Sequence, residues 1–531
     1  MRDLERPGRS PVHAPEGMAS TSHTLATQAA IDILRAGGNA MDAAVAACAV
    51  QCVVEAGSTG IGGDNFCIYA PEGSSDLIAF NGSGRAPAAA TAAWYNEQGI
   101  TKIERQSPHS VTIPGAIDAW DTLVRDHGRK TLGELLQPAI RYAREGYPVS
   151  SRVSVDLAFE AELIAKDEAT KRVFMANGRT PHIGEMHRQP ELAATLQKIA
   201  DHGRDAFYTG AVAEDIVGFL QARGGLQTMA DFAAVKGDYV TPVKADFRGY
   251  DVYQCPPNGQ GVIALLLLNI MSGVDLYGTT PITLERIHAE IEAGRLAYRD
   301  RNLYLADPTQ ADVPVDWLLS TDLAQQMRDA IDPGKALNPL PEFTAPRHGS
   351  TVYISVVDKD RNCCSFINTL FSGLGSVQMA PRSGVMLQNR GQGFVLDPNH
   401  PNCIAPGKRP LHTIIPGMVC KDGRAVMPYG VMGGQYQAFG HMQFLTRLFD
   451  YGLDIQEAQD YPRFFPDPYT GEVEMESAVP AEIQAGLAAK GHKLIKPSKP
   501  VGGSQAIWID YEQNVLTAGS DPRKDGCAIG Y

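Results

Sequence analysis

The sequence predicts an α+β or α/β sandwich, with layered strands flanked by helices. Three observations point there. Helical segments with a 3.6-residue apolar period alternate with short β-prone runs. The longest apolar runs sit inside those segments, so they read as core. Repeats and low-complexity stretches are absent, and the composition is that of a globular chain, with 531 residues, 44% hydrophobic and 20% charged.

From the front, residues 24–36, "TLATQAAIDILRA", have helical spacing, and Gly37 and Gly38 end that helix. Asn39 is placed to cap a second helix, "AMDAAVAACAVQCVVE", which is apolar nearly all round and therefore buried. "GSTGIGGDNFCIYA" is a Gly-rich turn leading into a strand. It lacks the Lys-Ser/Thr of a phosphate loop and the GxGxxG order, so its glycines allow a tight turn and close backbone packing.

Residues 130–230 read mostly as helices, including "GRKTLGELLQPAIRYAREG" and "PELAATLQKIADHG". "TPVKADFRGYDVYQCPP" returns to strand, and "GVIALLLLNIMSG" and "TLERIHAEIEAGRLAYRDRNLY" are helical. Residues 332–350 carry Pro333, Pro339, Pro341 and Pro346 and form the clearest loop of the chain. "TVYISVVDKDRNCCSFINTL" then gives two strands around a "DKDRN" turn. "AFGHMQFLTRLFDYG" and "IQEAQDY" are helices, and "GGSQAIWID" is a strand.

The formal net charge of −13 and pI near 5.5 argue against nucleic acid or an anionic membrane as partner. The first twenty residues have no apolar core of a signal peptide, and "AAVAACAVQCVV" and "VIALLLLNIM" are too short to span a bilayer, so a cytoplasmic location is expected. Nine cysteines, an odd number in mostly apolar surroundings, read as reduced core thiols. Cys48 and Cys52 stand at i,i+4, but no second Cys/His pair follows at zinc spacing, so neither a metal nor another cofactor is expected.

There is no GxSxG elbow, HExxH or P-loop. What remains is "RHGSTVYISVVD", where Ser350 and Thr351 stand at a loop-to-strand junction. They read either as the start of a strand or as a cleavage site that turns Thr351 into a catalytic N-terminus. A terminal threonine brings its own base, an α-amine of pKa about 7.7–8.0, so no partner histidine is needed. Gly433 and Gly434 in "GVMGGQ" read as a simple turn, or as two unobstructed N–H groups for an oxyanion.

The ordered set "MASTSHTLATQAAIDILRAGGNAMDAAVAACAVQCVVEAGSTGIGGD", "SVTIPGAIDAW", "PPNGQG", "STVYISVVDKDRN", "GKRPLHTIIPGMV", "GVMGGQ" and "FDYGLDIQEAQDYPRF" resembles the gamma-glutamyltransferase family of N-terminal-nucleophile hydrolases over nearly the whole chain. The resemblance implies an α+β fold, a four-layer αββα sandwich. It also implies autocleavage between Ser350 and Thr351, giving paired fragments 1–350 and 351–531. It assigns Thr351 as nucleophile, Thr369 as its supporting threonine, and Gly433 and Gly434 as the oxyanion hole.

The family's glutamyl-binding set fits poorly. Its arginine aligns with Ser83, with Arg85 two positions on. Its asparagine aligns with Phe371, its acidic residue with Gly393, and its serine pair with His412 and Thr413. The expectation is therefore an amidohydrolase for a small amide such as oxamate, with Arg85, Arg390, His412 and Thr413 as candidates for binding a carboxylate. Arg85 and Arg390 read equally as ion-pair residues, and Arg409 as structural. A glutathione hydrolase or gamma-glutamyltransferase, and an unprocessed binding scaffold, are the alternatives.

Overall fold

A computed structural model describes residues 8–337 and 350–531. Most of the proline-rich loop expected over 332–350 lies outside the described residues.

Two seven-stranded antiparallel sheets stack face to face. The first runs Cys527–Gly530, Met18–Thr21, Ser350–Val357, Cys363–Phe371, Asp64–Ala70, Ile78–Gly82 and Asp238–Val240. The second runs Val12–Ala14, Val515–Ser520, Gly503–Asp510, Arg424–Met432, Gly417–Lys421, Tyr250–Gln254 and Val243–Phe247. Alternation along the strands sorts side chains into layers. Phe66, Ile68, Tyr353 and Ile367 of the first sheet meet Met418, Met432 and Ile507 of the second.

The outer faces are covered by helices. Ile354, Val356, Cys364 and Phe366 pack under Ala40–Val54, against which Thr24–Arg35 and Leu132–Glu145 pack in turn. Val419, Met427, Val431 and Ala506 pack under Gly261–Met271, Leu284–Tyr304 and Tyr436–Phe449. The order is α-β-β-α, and the α+β sandwich expected from the sequence is the fold observed.

The local signals act as the sequence indicates. Asn39 and Asp42 form a reciprocal capping box on Ala40–Val54, and every residue of that helix is buried. In the Gly-rich turn, a Cβ on Gly62 would sit 2.2 Å from the Met386 carbonyl oxygen, and one on Gly63 2.0 Å from that of Thr369. That close approach delivers the next residue, Asp64, into register with Thr369. "IQEAQDY" forms a helix only at Glu457–Asp460. All nine cysteines are free, eight of them buried. Among the described residues no helix is long and apolar enough to cross a membrane.

Candidate active site

Thr351 is the second residue of its strand and is 1% exposed. The pairing register slips between Ser350 and Val352, so Thr369 and Leu370 together stand opposite Thr351. Such a bulge turns side chains out of strict alternation. It brings Thr351 Oγ1 to 3.2 Å from Thr369 Oγ1. Thr369 Oγ1 also accepts the Phe371 N–H at 2.8 Å. Phe371 holds φ at +82°, a costly conformation for a bulky side chain.

Gln437 comes from the first turn of Tyr436–Phe449. Its Nε2 donates to Thr351 Oγ1 at 3.3 Å, and its Oε1 accepts the Ile415 N–H at 3.2 Å. Gly433 and Gly434 lie just before this helix, with φ of +119° and +58°. A Cβ on Gly433 would stand 3.0 Å from Gly502 Cα. Neither glycine N–H donates to another backbone carbonyl among the described residues. The helix N-terminus behind them adds a partial positive charge. Gln260 of "PPNGQG" braces the pair: its Nε2 donates to the carbonyls of Gly434 and Thr413, both at 3.0 Å.

A cavity of about 140 Å³ opens on this point, lined among others by Thr351, Gly433, Tyr436, Arg105, Glu160 and Lys499. Arg105 and Glu160 form an ion pair at 2.9 Å.

A second buried cluster adjoins. The Arg390 guanidinium lies 3.9 Å over the Phe371 ring. Its Nη1 donates to Thr413 Oγ1 at 3.2 Å, while Nε and Nη2 have no partner. Burial lowers its pKa to about 9, against the opposing pull of Asp64. His412 Nε2 donates to Asp64 Oδ2 at 3.0 Å and its Nδ1 accepts the Ile414 N–H. Burial, together with the charge of Arg390, holds the His412 imidazole down at about 4, so it is neutral near pH 7. Asp64 Oδ1 collects Gly84 N–H and Gln388 Nε2, both at 2.9 Å.

The structure thus brings Thr351, Thr369 and the Gly433–Gly434 turn together, and places Arg390, His412 and Thr413 behind Phe371. It leaves Arg85 apart, partly exposed and paired with Asp238 at 3.2 Å. Arg409 donates to the Ser83 carbonyl and pairs with Asp238. Ser83 Oγ accepts from Asn258, which also binds the Pro410 carbonyl. Asp64, Gln437 and Arg105 are not singled out by sequence reasoning. Asp64 closes the Gly-rich motif "GIGGD", and Gln437 lies two positions after "GVMGGQ".

A chain 37% identical over 521 residues, covering 97% of this chain and 98% of its own, is the glutathione hydrolase-like YwrD proenzyme of Bacillus subtilis. Oxamate amidohydrolase proenzyme of Klebsiella pneumoniae is 33% identical over 530 residues, covering 97% and 98%. A cephalosporin acylase from Bacillus halodurans superposes with a TM-score of 0.92 at 38% identity, over 100% of this chain and 99% of that one. The gamma-glutamyltranspeptidase family model matches residues 26–531, and the chain belongs to that family of enzymes.

Proposed function

We propose that the protein is a self-processing hydrolase. It is cut between Ser350 and Thr351, and Thr351 then hydrolyses a small, carboxylate-bearing amide through an acyl-enzyme. The observation that carries this is the meeting of Thr351 and Thr369 hydroxyls at 3.2 Å, beside a cavity that Gly433 also lines. The proenzyme names of the Bacillus subtilis and Klebsiella pneumoniae relatives support the cut.

The chemistry follows from the groups. Once freed, the Thr351 α-amine takes the Oγ1 proton, and Oγ1 attacks the amide carbonyl. The developing oxyanion faces the N–H groups of Gly433 and Gly434. Collapse expels the amine, which leaves with the transferred proton. Water, deprotonated by the same α-amine, then attacks the ester and releases the acid. Thr369 and Gln437 hold Oγ1 in place throughout.

Arg390 supports the carboxylate. Its unpartnered Nε and Nη2 form the fork that grips a carboxylate with two parallel bonds. A γ-glutamyl group also needs a partner for its α-ammonium, and the aligned position is Gly393.

Intact mass and N-terminal sequencing test the cut. The smaller fragment should begin Thr-Val-Tyr-Ile, have 531 − 350 = 181 residues, and be missing from Thr351→Ala protein. A panel running from oxamate to longer ω-carboxyl amides, against γ-glutamyl-p-nitroanilide, tests the acyl group. Robust turnover of the anilide alone would make the protein a γ-glutamyl hydrolase instead.

A further inference from the structure

A group of titratable side chains lies in the helical layer that also holds Gly261–Met271 and Tyr436–Phe449. His288 and Glu292 are one turn apart on Leu284–Tyr304 and share a face. His492 joins them from the residue before strand Lys493–Ile495. None of the three is more than 4% exposed. They are brought together across 204 residues of sequence.

The hydrogen bonds leave this group incomplete. His288 Nε2 lies 2.8 Å from the Asp332 carbonyl oxygen, which can only accept. That nitrogen therefore carries the proton, and Nδ1 carries a lone pair. His288 Nδ1 is 2.7 Å from His492 Nε2. His492 Nδ1 is 4.0 Å from Glu292 Oε1, and neither of those two atoms has a hydrogen-bond partner. Each tautomer of His492 leaves an unmet pair. With the proton on Nε2, the Nδ1 lone pair has no donor. With the proton on Nδ1, two imidazole lone pairs face each other.

We propose that His288, His492 and Glu292 bind a first-row divalent cation, with Zn²⁺ the best match to two imidazoles and a carboxylate. His288 Nδ1 and His492 Nε2 are the nitrogen ligands. Their separation widens by about half an ångström to straddle a tetrahedral ion at ~2.0–2.1 Å. The surrounding bonds are those that orient ligands. The Asp332 carbonyl fixes the His288 tautomer, and Glu292 Oε2 accepts the Leu337 N–H at 2.6 Å. Arg295, 3.3 Å from Glu292 Oε1, is the charge the cation competes with. It already donates to the Leu337 and Gly471 carbonyls.

The ligands come from both sides of Thr351 in the sequence. On the cleavage proposed above, the cation would hold the two fragments together. The site itself does not depend on that cleavage.

The test uses full-length protein and its Thr351→Ala variant, stripped with a chelator and titrated with Co²⁺, then with Zn²⁺ followed by elemental analysis. The expected result is about one equivalent bound, with the visible absorption of four- or five-coordinate Co²⁺, in both proteins. Binding that survives in Thr351→Ala keeps the site separate from the fate of the nucleophile. His492→Gln and His288→Ala should each weaken binding about 10- to 100-fold or abolish it. Absence of that absorption from the parent protein, or unchanged binding in folded His492→Gln protein, would overturn the proposal. Should the variants not fold, the Co²⁺ spectrum of the parent decides alone.

Discussion

The hydroxyls of Thr351 and Thr369 stand 3.2 Å apart on adjacent antiparallel strands, at a point where their register slips by one residue. In a regular ladder, residues directly opposite would lie on one face and their neighbours on the other. The bulge brings the two hydroxyls within reach of each other. Thr369→Val keeps the volume and removes the oxygen. It should leave the sheet folded, slow fragment formation, and lower kcat by about 10²-fold or more. Time-resolved mass spectrometry and steady-state kinetics measure the two effects.

Arg390 should act on binding of the carboxylate and little on the chemical step. Arg390→Lys keeps a charge and loses the fork. KM for a carboxylate-bearing amide should rise about 10- to 100-fold with kcat changed far less, and a neutral amide of equal size should respond weakly. A uniform fall in kcat for both substrates would show that Arg390 supports the fold only.

Asp64 is a buried junction for His412, Gly84 and Gln388. Asp64→Asn turns an acceptor-only group into one that presents two donors to a set of donors. The expected loss is about 2–4 kcal/mol, read as a lower denaturant midpoint with an unchanged slope.

The buried histidines predict acid lability. His412 is held at about 4 and His441 at about 3, both by burial and both below the ordinary 6.5. Between 6.5 and those values the unfolded chain takes up protons that the native protein does not. Stability is therefore full above pH 6.5 and falls as pH drops toward 4 and 3, by up to ~1.4 kcal/mol per pH unit for each group. Urea midpoints at pH 7, 6 and 5 should decline in that order. His441→Gln should make the decline shallower.

The sequence shows clearly those elements whose signal is local. The helix Ala40–Val54 is announced by its cap and its unbroken apolar run, and the pair Ser350–Val357 and Cys363–Phe371 by β-prone residues on either side of a polar turn. Val12–Ala14, Met18–Thr21 and Cys527–Gly530 are three or four residues long, too short to show a period, and exist because longer strands recruit them. The candidate site divides the same way. Thr351 and the glycine pair stand in recognisable motifs. The contacts of Gln437 and Asp64 depend on partners 86 and 348 residues away, which no spacing reveals.

The strand order has a consequence for the two segments that meet at Thr351. Met18–Thr21 lies between Cys527–Gly530 and Ser350–Val357, hydrogen-bonded to both. In the other sheet, Val12–Ala14 and Tyr250–Gln254 flank four strands from beyond residue 400. The halves are braided, not docked. A peptide bond broken before Thr351 gives two molecules that cannot diffuse apart without unravelling both sheets. Swapping halves between copies would be as slow as global denaturation, and mixing separately made halves would require each to fold around a partner it had never met.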